Sequence, residues 1–277
     1  MTADNDRLTL EGVRRHLDTE VIGQHIYIFD SVDSTNHALA RLADRDATEG
    51  TVVMAETQTA GRGRHGSPWF SPATASLYVS VLLRPSIAPR ELSLFAPIAS
   101  LALAEAVWLE GAPAKIKWPN DVVVHDRKVG GVLVQARVIE ERLAHVILGV
   151  GVNLNVPPAD LAAGLGAAAE DAASLHEVVD HPIDRNQFAA SLLTRLEKWH
   201  RTYLMRGAGA VHAAWQERDA LHGRRVEARS GAELHQGWAD GIDADGRLVI
   251  VDDAGRPHHL LAGQIRTLDG RARATSA

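Results

Sequence analysis

The sequence predicts an α+β fold, a mixed sheet with much antiparallel pairing and few helices, followed by a smaller all-β unit. Three observations point there. Strand-like runs follow one another between residues 114 and 155 with no helical stretch between them, unlike a strictly alternating doubly wound fold. A long helical pattern begins at Asp184. After Gly223 the texture changes to short strands separated by turn residues: Gly231, Asp240-Gly241, Asp245-Gly246 and the segment from Asp252 to Gly255.

In chain order, Leu10, Val13 and Leu17 recur at helical spacing within residues 8–18, and His25 to Val32 predicts a first strand. Helices are expected at 35–44 and 91–109, and strands at 51–58, 76–83, 114–118, 121–125, 129–138 and 144–155. From Asp184, Phe188, Leu192, Leu196, Trp199 and Tyr203 line one side of a helix, as packing residues, and Val211 to Leu221 continues as another. A boundary near Leu221 divides the chain into a helical extension (1–24), a main domain (25–221), a small β-barrel (222–268) and a frayed tail (269–277).

Composition narrows the function. The 277 residues are 45% apolar, ample for a core, with no apolar run of membrane-spanning length expected and no signal-peptide pattern in MTADNDRLTL. Zero cysteines exclude disulfides and thiolate chemistry and suit a cytoplasmic setting. A formal charge of −6 argues against general nucleic-acid affinity. None of the fourteen histidines falls in H-E-x-x-H or a comparable ligand spacing.

Gly61-Arg62-Gly63-Arg64-His65-Gly66 satisfies G-x-G-x-x-G, and a strand, 51–58, leads into it. Ser67-Pro68-Trp69-Phe70-Ser71-Pro72 then discourages the helix a dinucleotide turn needs, and the ribose-binding acid about twenty residues on is missing. No Lys-Ser or Lys-Thr pair makes it a Walker loop. What remains is a flexible loop whose amides and two guanidiniums suit an anion, or a solvated turn with surface arginines.

Four other segments carry candidate chemistry. Strict alternation in residues 146–155 places Gly149, Gly151, Asn153 and Asn155 on one face, cleared for a flat ligand or for close packing. Gly130 and Gly131 repeat the pattern after Lys128, whose ammonium can point at a ligand carboxylate. In Lys115-Ile116-Lys117-Trp118-Pro119-Asn120-Asp121 a lysine, an amide and a carboxylate suit phosphate, base and Mg²⁺, or a surface turn. Asp33-Ser34-Thr35-Asn36, at a strand-to-helix transition, offers either a helix cap or polar groups for a ligand ring.

Together, Asp33-Ser34-Thr35-Asn36, the run from Glu56 to Arg64, Lys117-Trp118-Pro119-Asn120-Asp121, Arg127-Lys128-Val129-Gly130-Gly131-Val132-Leu133 and Gly149-Val150-Gly151-Val152-Asn153 resemble the ordered signature of the biotin protein ligases. The resemblance spans roughly residues 25–268. It implies a catalytic domain of the class II aminoacyl-tRNA synthetase and biotinyl/lipoyl ligase fold with an SH3-like β-barrel behind it. It also implies a two-step reaction: biotin and ATP give biotinyl-5′-AMP and pyrophosphate, and a lysine of a biotin carboxyl carrier protein then takes the biotinyl group.

Carried over by this resemblance, Ser34, Thr35, Asn36 and Gln58 hold the biotin rings, with Gly131 beside them. Arg62, Gly63 and Arg64 close over carboxylate and phosphates, and Lys128 touches both carboxylate and α-phosphate; Arg62, Arg64 and Lys128 are the catalytic candidates. Trp69 stacks on adenine, Asn153 hydrogen-bonds it, and Lys117, Asn120 and Asp121 serve the nucleotide, Asp121 with its magnesium. Some members carry an N-terminal winged-helix repressor domain, for which the residues before 25 leave no room, so ligase activity without operator binding is expected. The alternatives are a lipoate or octanoyl ligase of the same fold, a biotin-responsive DNA-binding repressor, and a nicotinamide dehydrogenase. A homodimer is compatible with an edge strand at Leu133 to Val138.

Overall fold

The computed structural model describes residues 7–268, so the 269–277 tail and the first six residues lie outside the described chain. Its elements are α1 (Leu10–His16), β1 (Ile26–Val32), α2 (Thr35–Ala43), β2 (Val52–Gln58), β3 (Ser76–Leu83), α3 (Phe95–Leu109), β4 (Lys115–Lys117), β5 (Asp121–Val124), β6 (Arg127–Ile139) and β7 (Arg142–Asn153). There follow α4 (Pro158–Leu165), α5 (Leu175–Val179), α6 (Arg185–Arg206), α7 (Ala208–Arg218), β8 (Arg225–Ser230), β9 (Glu233–Ile242), β10 (Leu248–Val251), β11 (Pro257–Leu260) and β12 (Gln264–Thr267).

The first seven strands form one sheet, in the order β1-β2-β3-β7-β6-β5-β4. Only β1 and β2 pair in parallel; every other neighbour is antiparallel, as hairpin-connected strands allow. All of β3 is buried, which explains its continuous apolar run. The remaining five strands form a separate antiparallel sheet, β11-β10-β9-β8-β12. The expected α+β class is therefore the observed one.

The helices cover the sheet as their apolar stripes require. Phe188, Leu192, Leu196, Trp199 and Tyr203 of α6 all lie in the core, and Asp184 caps that helix by accepting from the amides of Asn186 and Gln187. At the first position of α6, Arg185 is fully buried and pairs with Glu56 of β2 at 2.7 Å, while the second Glu56 oxygen accepts from the Leu8 amide. One carboxylate thus ties the N-terminal segment, the sheet and α6 together.

Two expectations are corrected. Pro89–Leu109, a 3-10 turn running into α3, is long and apolar enough by length and composition to cross a membrane, although no such run was expected. Its most apolar window is 67% buried, because α3 is the core helix under the sheet. Residues 156–183, without any expected element, contain α4, a 3-10 turn at Gly166–Asp171 and α5. These helices are short, and α4 and the 3-10 turn are rich in Ala and Gly, so they are too brief to show a helical period.

The second sheet is attached at named points. Trp118, at the end of β4, is 2% exposed and donates through its indole Nε1 to the carbonyl of Gly246 at 3.1 Å. Near that joint Asp219 accepts from the Leu221 amide, and burial raises its carboxyl pKa.

Candidate active site

At the ends of β1, β2, β6 and β7 opens a cleft of about 690 Å³. Every site residue carried over by the resemblance lines it: Ser34, Thr35, Asn36, Gln58, Arg62, Gly63, Arg64 and Trp69 from the first segments, and Lys117, Asn120, Asp121, Lys128, Gly131 and Asn153 from the later ones, while Asp33, Gly130 and Asn155 do not. Segments nearly 120 residues apart in sequence converge because β3 inserts between β2 and β7.

The polar end is a hydrogen-bond chain. Gln58 Oε1 accepts from the Thr35 amide at 2.9 Å, and the Thr35 hydroxyl lies 2.8 Å from the Ser80 hydroxyl. Ser80 donates to Asn36 Oδ1 at 2.6 Å, and Asn36 Nδ2 donates to Gln135 Oε1 at 3.1 Å. Gln58 Nε2 in turn donates to Ser71 Oγ at 3.2 Å. Ser34 occupies the N-cap of α2 without a side-chain capping bond, so the cap explanation does not account for its hydroxyl. Ser71, Ser80 and Gln135 were not singled out as site residues; a serine inside the apolar run of β3 was the available signal for Ser80, since buried hydroxyls need partners.

The glycine stripe of β7 makes room for the site's own side chains. A Cβ at Gly149 would coincide with the Asn36 amide, and one at Gly151 would lie 2.6 Å from the Trp69 indole. At Gly131 the neighbours are Asp121 Oδ1 at 3.1 Å and the end of Lys128. Asn155 leaves the stripe: β7 ends at Asn153, and Asn155 instead exchanges hydrogen bonds with the backbone of Ile183.

The arginine loop is a short hairpin with a 3-10 turn at Arg64–Gly66, closed by Gly63 N to Ser67 O at 2.7 Å and Trp69 N to Gly61 O at 2.9 Å. No helix follows it, in keeping with the rejected dinucleotide turn. Gly61 is required by close approach, because a Cβ there would meet Ser71 Oγ at 2.8 Å. His65 (φ 54°) and Gly66 (φ 76°) both adopt the left-handed region at the tip.

The charges are arranged to be shared. Lys128 Nζ lies 2.6 Å from Asp121 Oδ1 and 5.1 Å from the Trp69 ring centroid. Arg64 reaches 3.5 Å from the carbonyl of Gly263, in the turn between β11 and β12. Burial lowers the Arg64 pKa and the nearby Asp121 carboxylate opposes that shift, so the guanidinium remains charged at neutral pH. Asn120 Nδ2 donates to the Val132 carbonyl, and Asn153 Nδ2 to Ala173 O at 3.2 Å, and both residues are buried. Among the described residues no group of three or more His, Cys, Asp or Glu side chains is placed to hold a metal. Asp121, Asp126 and Asp171 are the carboxylates that line the cleft, and Mg²⁺ is commonly held by one or two carboxylates plus phosphate oxygens.

Comparison with known proteins gives the chain's relatives. Residues 28–153 match the biotin/lipoate A/B protein ligase family, and residues 221–269 match the biotin protein ligase C-terminal domain. The chain is 34% identical over 275 residues to biotin--[acetyl-CoA-carboxylase] ligase of Mycobacterium tuberculosis, covering 95% of this chain and 98% of that one. It is 32% identical over 250 residues to the bifunctional ligase/repressor BirA of Bacillus subtilis, covering 90% of this chain and 76% of that protein. Among solved structures it is similar to biotin protein ligase from Aquifex aeolicus in complex with biotin and ATP, with a TM-score of 0.73, 25% identity, and coverage of 88% and 99%.

Proposed function

The chain belongs to the biotin protein ligase family, and from that premise we propose that its cleft activates biotin with ATP and passes it to a lysine of a carboxylase biotin carrier domain. The observation that carries this is the convergence of Arg62, Arg64 and Lys128 on one cleft that ends in a polar pocket of Ser34, Thr35, Asn36 and Gln58.

In the first step a carboxylate oxygen of biotin attacks the α-phosphorus of ATP and the bond to the β-phosphate breaks, releasing pyrophosphate. Two anions must approach, and fixed cations offset that repulsion better than mobile water does. On this reading Lys128 bridges carboxylate and α-phosphate once it exchanges Asp121 for substrate, with Arg62 and Arg64 closing from the loop. Trp69 then offers its indole to the adenine, and Asn153, Asn120 and Lys117 offer polar groups to the nucleotide. Asp121, released by Lys128, would hold Mg²⁺ on the phosphates.

In the second step the neutral amine of the carrier lysine attacks the acyl carbon, the bond to AMP oxygen breaks, and the amine gives up its proton to solvent. The match of residues 221–269 to a biotin ligase C-terminal domain favours biotin over lipoate or octanoate. We assign residues 25–221 to the catalytic domain and 222–268 to the C-terminal β domain, and place the enzyme in the cytoplasm in view of its lack of cysteine.

A homodimer has one supporting observation: β5 pairs with β6 only as far as Gly131, so residues 133–138 pair on one side, with β7, and Val138 and Ile139 are about half exposed. The test of function is incubation with biotin, ATP-Mg²⁺ and a carrier domain. Pyrophosphate release and a single biotinyl mass increase on one carrier lysine are expected; pyrophosphate with lipoate and none with biotin would overturn the assignment.

A further inference from the structure

Two consecutive aromatic residues leave the arginine loop and press on glycines of different elements. Trp69 lies over Gly151 of β7, and the ring of Phe70 occupies the space a Cβ would take at Gly164 of α4. Gly164 has no positive φ, so its conformation does not call for glycine, and glycine is the poorer helix former. The close approach of Phe70 does call for it. Beyond Gly164, Leu165, Ala168 and Asp171 form part of the cleft wall.

We propose that Phe70 and Gly164 are positioning residues that form a size-matched latch, through which the 158–171 segment holds the arginine loop, and with it Trp69, in place over the cleft. The inference rests on the ligase reading for its consequence, retention of the adenylate, but its geometry is independent of that reading. Phe70 itself lines the cleft beside Trp69, and its phenyl ring carries no acid, base or nucleophile. It acts by restricting the exit of the loop, so that opening of the loop and displacement of α4 become one event.

The test is a double-mutant cycle with Gly164→Ala, Phe70→Leu and the pair together, the added methyl of alanine being matched by the smaller leucine. The first readout needs no substrate: the rate at which trypsin cuts the folded chain after Arg62 and Arg64. Each single variant is expected to be cut about tenfold faster and the pair to return near the parent rate, the size of coupling that touching residues show. The second readout is the loss of biotinyl-5′-AMP and the KM for ATP, which should worsen in the single variants and recover in the pair, while kcat under saturating substrate changes less.

Additive effects in the trypsin cycle, or single variants cut at the parent rate, overturn the latch even if the parent chain is an active ligase. A parent chain that releases no pyrophosphate with biotin sinks the ligase reading and leaves the trypsin result to decide the latch. Unfolding midpoints of all four proteins separate loop opening from general destabilisation.

Discussion

The Lys128 ammonium and the Asp121 carboxylate sit 2.6 Å apart across the β5–β6 turn, in the space left by the missing side chain of Gly131. Without ligand the lysine is therefore neutralised by a group of its own chain, and substrate must compete with that contact. Both side chains are about one-third exposed, so the pair is partly screened and exchangeable.

Removing one partner separates these roles. Asp121→Asn should bind biotin alone more tightly, by up to about fivefold, because a partly exposed pair is worth roughly 0.2–1 kcal/mol, while adenylation becomes less responsive to Mg²⁺. Lys128→Ala should lower the first-step kcat/KM by about 10²–10³-fold, typical of losing a group that stabilises developing charge. Titration calorimetry with biotin and pyrophosphate release measure the two. Unchanged turnover in Lys128→Ala would remove it from the catalytic set.

Arg64 lines the cleft from a hairpin closed by short backbone hydrogen bonds, and its guanidinium reaches 3.5 Å from the Gly263 carbonyl. Arg64→Gly is expected to release biotinyl-5′-AMP, raising biotinylation of unrelated lysines by roughly ten- to a hundredfold, as loss of one electrostatic contact implies. Mass spectrometry of bovine serum albumin added to the reaction counts those lysines. Labelling no greater than that by the parent would show that Arg64 does not retain the adenylate.

Gly149→Ala places a methyl group on the Asn36 amide, which is hydrogen-bonded to Ser80 and Gln135. Overpacking of this kind costs about 1–3 kcal/mol, and biotin affinity should fall as the polar pocket is displaced. Asn36→Ala combined with Gly149→Ala should regain the stability and not the affinity. Urea unfolding and biotin titration decide; full recovery of affinity in the pair would mean that Asn36 does not contact the ligand.

Asp33 gives an acid limb to stability. Its two hydrogen bonds from Arg41, both 3.0 Å, hold its carboxyl pKa well below the ordinary 3.8, against a smaller cost of burial. A depressed folded pKa contributes stability that is present above 3.8 and lost as pH falls below it toward the folded value. Its exposure keeps the size modest. Asp33→Asn should therefore lose less stability than the parent between pH 4 and pH 2 in urea midpoints; parallel acid limbs would refute the linkage.

Much of this was legible in the chain. Alternation in residues 146–153, the mostly apolar β3 and the five-residue stripe of α6 state their own burial, because side-chain period is a local property of the backbone. The loop at Gly61 to Gly66 could be withdrawn from the dinucleotide class by the prolines after it alone. The helices within 156–183 were not legible, since they owe their stability to packing rather than to a period of their own.

What the sequence by itself determined was the class of fold, the succession of strands and helices along most of the chain and the set of residue types that chemistry with anions needs. What only the tertiary structure decided was who touches whom: that Asn36 and Trp69 occupy the glycine stripe, that Ser80 joins Thr35 to Asn36, that Asp121 holds Lys128, and that Asn155 turns away to Ile183. Local pattern fixes which face a side chain takes, because that depends on neighbouring dihedrals. The partner on that face depends on how strands far apart in the chain are ordered in the sheet, and here β3 lying between β2 and β7 makes that choice.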